Sequence, residues 1–170
     1  ALQTLNSGSA TFIGPGIGRT SLAENIIESL VPVLSKPCVI DADALTLMAE
    51  KSLRFPKQSI LTPHHGEMGR LLHLDSTPLP TIDFLHQAQR YAEEHAVTIV
   101  LKGAPTFVLH PGKLPTVMVW GDPGMATAGA GDVLTGLLAA LLAQGVSVYE
   151  AALLGTYLHG RAGQAAAESL

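Results

Sequence analysis

Thr116-Val117-Met118-Val119-Trp120 is followed by Gly121-Asp122-Pro123-Gly124-Met125-Ala126-Thr127-Ala128-Gly129-Ala130-Gly131-Asp132 and then by Val133-Leu134-Thr135-Gly136-Leu137-Leu138. The three pieces read as strand, loop and helix. The first is rich in β-branched and bulky residues that suit a strand. Four glycines from Gly121 to Gly131 argue against a regular element over that interval. Past Gly131 the chain becomes apolar and helix-forming, so Asp132 is expected at or just inside a helix N-terminus. Such a terminus leaves N–H groups without internal acceptors and carries partial positive charge. A Gly/Ala loop lets those groups approach an anion closely, which suits a phosphate. Asp132 can also be read as an ordinary helix cap. The loop is longer and richer in glycine than a cap requires, which favours a ligand site.

Working outward, residues 10–13 read as a short strand that stops at Gly14-Pro15-Gly16-Ile17-Gly18. The helix after it is expected to open on a capping box of Ser21 and Glu24, with Leu22, Ile26, Ile27, Leu30 and Val31 as its apolar stripe. The dinucleotide fingerprint would need glycine at position 19, where Arg19 stands, so the turn is not that motif. Residues 38–41 form the next strand, ending at Asp41-Ala42-Asp43 before a helix from Ala44 to about Glu50. One aspartate suits a cap; a second leaves a carboxylate for a metal or a hydroxyl.

Residues 59–62 read as a strand that breaks at Thr62-Pro63-His64-His65-Gly66-Glu67, before a helix through Leu72. His64 there is either polar surface or a donor to a bound group. Residues 81 to about 95 are an amphipathic helix. Two β-rich runs, 98–102 and 106–109, flank Lys102-Gly103-Ala104-Pro105-Thr106 and read as a hairpin or tight strand pair. Lys102 at its tip is either solvated or within reach of phosphates. A second capping box, Ser147 with Glu150, opens the last helix, in which Gly155, Gly160 and Gly163 leave room for a closely packed neighbour. Strands alternating with helices imply an α/β sandwich around a mostly parallel sheet.

Composition narrows the function classes. The 170 residues amount to one domain, 47% hydrophobic and 14% charged, which describes a globular chain. A net charge of −4 with no basic run argues against nucleic acid and against an anionic membrane surface. Cys38 is the single cysteine, so no internal disulfide can form, and its apolar surroundings suit packing over nucleophilic chemistry. The longest apolar run, residues 133–143, is too short to span a bilayer. No signal peptide is visible, and a cytoplasmic location is expected.

The glycine turn at 14–18, Asp41-Ala42-Asp43-Ala44-Leu45, the Pro63-His64-His65-Gly66-Glu67 turn, Lys102-Gly103-Ala104-Pro105-Thr106 and the run from Gly124 to Asp132 occur in that order. Together they resemble the ADP/ATP-dependent NAD(P)H-hydrate dehydratases of the ribokinase-like superfamily. The resemblance implies a ribokinase-like three-layer α/β/α sandwich and a repair reaction that returns hydrated NADH or NADPH to the intact cofactor. It implies Asp132 as catalytic base, with Gly16, Gly18, His64 and Asp132 at the hydrate. Lys102, Gly103, Ala104, Pro105, Thr106, Gly129, Ala130 and Gly131 would border ADP or ATP. Mg2+ would accompany the nucleotide, with no metal-ligating side chain assigned. An NAD(P)H-hydrate epimerase and a second copy of the chain are the expected partners. Family members carry a further strand–turn–helix ahead of the strand at 10–13, so the domain is expected to be partial at its N-terminus. Two other readings remain open: a ribokinase-like kinase of a small vitamin precursor, and a nucleotide-binding remnant without activity.

Overall fold

The computed structural model describes residues 7–75 and 80–169. Six strands form one sheet in chain order: β1 (Thr11–Ile13), β2 (Cys38–Ile40), β3 (Ser59–Leu61), β4 (Thr98–Leu101), β5 (Thr106–Leu109) and β6 (Thr116–Met118). β1 to β4 run parallel, in registers such as Thr11 with Cys38 and Cys38 with Ser59. β5 and β6 return antiparallel, with Leu101 opposite Phe107. The helices are α1 (Ser21–Leu30), α2 (Ala42–Glu50), α3 (His65–Leu71), α4 (Ile82–His95), α5 (Ala130–Ala143) and α6 (Val148–Glu168).

Topology explains the layering. Parallel strands added in one direction through right-handed crossovers place every connecting helix on the same face. α1 to α4 accordingly share one core with Cys38, Ile40, Leu61, Ile99, Leu101 and Leu109. The alternate strand residues Val39, Ile60, Val100 and Val108 point the other way, against α5 and α6. The period of two along each strand thus feeds two cores, and central strands covered on both faces read as continuous apolar runs. Among the described residues β1 is a sheet edge, and its Phe12 is 56% exposed. No helix among them is long and apolar enough to cross a membrane.

Several boundaries differ from the sequence reading. α1 is capped by Thr20, whose hydroxyl accepts from the Ala23 N–H at 3.3 Å; Ser21 is already helical, and a cap must be extended, as Thr20 is. α2 starts at Ala42, one step after its cap Asp41. β6 ends two residues short of Trp120. The glycine-rich loop contains a 3-10 turn, Pro123–Met125, and α5 begins at Ala130, so Gly131 and Asp132 are inside its first turn. Gly129 makes that early start possible by taking φ +91°, where a side chain is disfavoured. The three glycines of α6 do meet close neighbours. A Cβ would fall 2.6 Å from Leu138 Cδ2 at Gly155, 2.7 Å from the Trp120 carbonyl oxygen at Gly160, and 2.1 Å from Met125 Sδ at Gly163.

Candidate active site

The carboxyl ends of the four parallel strands converge on one rim, where open α/β sheets bind ligands. Past β1 the chain turns at Gly14, where φ is +129° and a Cβ would fall 1.8 Å from the Asp41 carbonyl oxygen. Only glycine lets the two loops touch. Asp43 then accepts a hydrogen bond from the Gly18 N–H at 3.1 Å, which fixes the far end of the turn. At Gly16 and Gly18 a side chain would meet no atom within 4 Å, so both face open space. The second aspartate of Asp41-Ala42-Asp43 therefore holds a loop.

His64 follows β3 and caps α3. Its Nδ1 accepts from the N–H groups of Gly66 and Glu67 at 3.0 and 3.2 Å. Glu67 Oε2 accepts in return from the His64 N–H at 2.8 Å. With Nδ1 accepting, the neutral ring carries its proton on Nε2, 3.5 Å from Glu67 Oε1. The side chain is 55% exposed, so Nε2–H is a donor that a ligand can reach. Glu67 itself is buried.

Lys102, past β4, stands at the centre. Its N–H bonds the Pro63 carbonyl oxygen at 2.8 Å, which sets it beside His64. Its Nζ lies 2.8 Å from Asp41 Oδ1 and 4.0 Å from Glu67 Oε2. Asp41 is 1% exposed, and a buried carboxylate needs its lone pairs occupied. Besides Lys102 it accepts from the Ala42 N–H and the Thr135 hydroxyl, each at 2.8 Å. The first turn of α5 lies over this ion pair. A Cβ on Gly131 would be 3.5 Å from Lys102 Nζ and 3.7 Å from Asp41 Oδ2.

The rest of the 102–106 segment is a tight turn in which the Thr106 hydroxyl donates to the Gly103 carbonyl oxygen at 2.9 Å. Ala104 and Pro105 are exposed at its tip. The turn rests on His65, whose Nε2 would be 2.9 Å from a Cβ on Gly103 and whose ring meets Phe84 edge-on. Burial, with His64 adjacent, holds the His65 pKa below its ordinary value.

Asp132 is the third residue of α5 and is exposed. The cap is Gly129, with no side chain, so the capping role considered for Asp132 is not the one it has. The Ala130 N–H is taken by the Thr127 carbonyl oxygen at 3.3 Å. The N–H groups of Gly131 and Asp132 sit in the first turn, where a helix offers no internal acceptor. His159 of α6 hydrogen-bonds the backbone of Ala130. Burial lowers its pKa and the Lys102 charge adds to this, against the Ala130 bond, which raises it.

The structure thus joins Lys102, Gly131 and His64 at one rim, with Asp132 adjoining Gly131 and the 14–18 turn tied in through Asp41 and Asp43. Sequence reasoning missed Thr135, Glu67, His65 and His159 as parts of this site. His65 and Glu67 lay within the quoted Pro63–Glu67 turn without a role, and Thr135 stood as the single polar side chain in the apolar run 133–143. Among the described residues no group of three or more His, Cys, Asp and Glu is arranged to hold a metal.

The sequence profile of the NAD(P)H-hydrate dehydratase family matches residues 1–170. The chain belongs to that family. It is 41% identical over 169 residues to the bifunctional NAD(P)H-hydrate repair enzyme Nnr of Moorella thermoacetica, covering 98% of this chain and 32% of the relative. A ribokinase-like superfamily protein from Enterococcus faecalis superposes with a TM-score of 0.86 at 31% identity, over 98% of this chain and 58% of that one. The ADP/ATP-dependent NAD(P)H-hydrate dehydratase of Bacillus subtilis, co-crystallised with ATP and Mg2+, gives 0.70 at 29% identity, over 89% of this chain and 53% of that one. The fold of this dehydratase-family chain is therefore the ribokinase-like α/β/α sandwich. The chain spans about a third of the Nnr relative and just over half of the two structural relatives.

Proposed function

We propose that this chain carries the nucleotide-dependent dehydration of hydrated NADH and NADPH. The observation that carries the reading is the first turn of α5 laid over the Lys102–Asp41 pair, with the exposed Asp132 carboxylate one residue along. Phosphoryl transfer depends on fixed positive charge and N–H donors around the moving group. Lys102 and the N–H groups of Gly131 and Asp132 supply both. ADP or ATP lies between the 102–106 turn and residues 129–131, and the hydrate lies toward Gly16, Gly18 and His64, with the His64 Nε2–H donating to it.

Asp132 takes the proton from the hydrate hydroxyl, whose oxygen then bonds to the terminal phosphorus of the nucleotide while the bond to the leaving phosphate oxygen breaks. ADP leaves as AMP, or ATP as ADP. Scission of the carbon–oxygen bond and loss of the neighbouring proton then release phosphate and restore the ring double bond. Mg2+ fits as a companion of the nucleotide phosphates, since it keeps most of its waters and needs no protein cage. Asp41 is poorly placed to hold it, with three donors already on its two oxygens. The bifunctional relatives support an epimerase acting on the same hydrates as a linked activity.

The test is Asp132→Asn in the full-length protein. Asn keeps the shape and leaves the N–H groups in place but removes the basic oxygen. NADH regeneration from its hydrate with ADP and Mg2+ should fall by about 10²–10⁴-fold, the usual worth of a general base, with ADP affinity little changed. Retention of most of the rate removes Asp132 from the mechanism. Accumulation of a stable phosphorylated product in place of free phosphate favours the small-molecule kinase.

A further inference from the structure

We propose that Asp41, braced by Thr135, is a positioning residue that aims the Lys102 ammonium at the nucleotide phosphate under the first turn of α5. This rests on the nucleotide site proposed above.

A lysine stem has more rotamer freedom than almost any other side chain, and a phosphate contact through a loose stem must first order it. Here that ordering is done in advance. Asp41 Oδ1 holds Nζ at 2.8 Å, while Glu67 Oε2, at 4.0 Å, lies beyond hydrogen-bond reach. Of three ammonium donors, one is committed, and the space above Nζ is left clear by Gly131. Asp41 is itself immobilised. It is 1% exposed, and its second oxygen takes the hydroxyl of Thr135, which is fully buried.

Capping of α2 accounts for the Ala42 N–H bond but for neither of the other two. Those two span the sheet: Asp41 follows β2, Lys102 follows β4, and Thr135 belongs to α5 on the far face. One carboxylate therefore sets the separation between the lysine and the helix turn that receives the anion. A hydroxyl on the otherwise apolar buried face of α5 has no packing reason to be there; as a brace for Asp41 it has one.

The experiment is a double-substitution cycle read by calorimetric ADP binding with Mg2+, which is independent of any hydrate turnover. Lys102→Met is expected to weaken ADP by about tenfold or more, in line with loss of a charge-assisted contact. In the Asp41→Asn background the same change should cost less than about threefold, because the lysine is no longer aimed. Asn caps α2 about as well as Asp, so the start of the helix should persist, while loss of the buried ion pair lowers the melting temperature. Should Asp41→Asn fail to fold, Thr135→Val serves in its place. It should shrink the cost of Lys102→Met in the same sense, and Thr135→Ser should restore it. An equal or larger cost of Lys102→Met in the Asp41→Asn and Thr135→Val backgrounds overturns the inference and leaves the nucleotide site standing. Absence of ADP binding by the unaltered protein removes both.

Discussion

At the scale of single residues the site is built by absences as much as by groups. Gly131 has no side chain, and an added methyl would sit 3.5 Å from Lys102 Nζ and 3.7 Å from Asp41 Oδ2, ordinary contact distances. The protein can hold that methyl; a phosphate drawn to the same place cannot share it. Gly131→Ala should therefore leave the melting temperature unchanged or slightly raised, since alanine favours a helix by about 0.5–1 kcal/mol over glycine. ADP affinity should fall by about tenfold or more, or about 1.4 kcal/mol. Calorimetry beside a thermal melt checks both, and unchanged ADP affinity would place the phosphates elsewhere. Cys38 is the opposite case. It is fully buried with its thiol pushed up to about 12 by burial, and is a packing residue, as its apolar neighbours in the chain suggest.

At the scale of elements, α6 holds the loop that leads into the site. Gly160 lies against the backbone of Trp120, just ahead of the glycine-rich segment, and a Cβ there would meet the Trp120 carbonyl carbon at 2.9 Å as well as its oxygen. At Gly155 the nearest obstacle is the end of the Leu138 side chain, which can move. Overpacking of this kind costs about 1–3 kcal/mol, part of it offset by alanine's helix preference. Gly160→Ala should lower the melting temperature more than Gly155→Ala, at about 2–4 °C per kcal/mol for a chain of this size. The reverse order in a thermal denaturation series would mean that the Trp120 loop yields more easily than a core leucine.

At the scale of the whole molecule, stability should have a plateau near neutral pH with a slope on each side. Burial is the leading reason that His65, His110 and His159 all titrate below the ordinary 6.5. Between their folded values and 6.5 the unfolded chain binds more protons, so stability rises with pH there and is flat above. On the alkaline side Cys38 and Tyr91 are pushed up to about 12 from 9.0 and 10.0, both by burial. The folded chain keeps those protons longer, so their contribution is present below pH 9 and lost as pH rises toward 12. Urea midpoints across the range should show the acid limb beginning near 6.5 and flattening when all three histidines are changed to Gln. A limb unaffected by that change would assign the acid loss to the carboxylates.

Strand and helix succession, the parallel sheet, the two-faced burial and the glycine-rich loop leading into α5 were legible in the sequence, because each depends on local periodicity or on where glycine falls. The capping residue of α1 and the start of α5 were not, because a cap is chosen by one residue's backbone angles and Gly129 turns the chain earlier than composition suggests. Asp41 was visible as an acidic residue at a strand end. Its partners were not, since Lys102 lies 61 positions away and Thr135 lies 94. Periodicity reports which face of an element is buried and says nothing of which polar atoms meet across the sheet. That was decided only when right-handed crossovers brought the ends of β2 and β4 together and α5 folded back over them. A buried carboxylate then had to find its donors among whatever the fold had delivered.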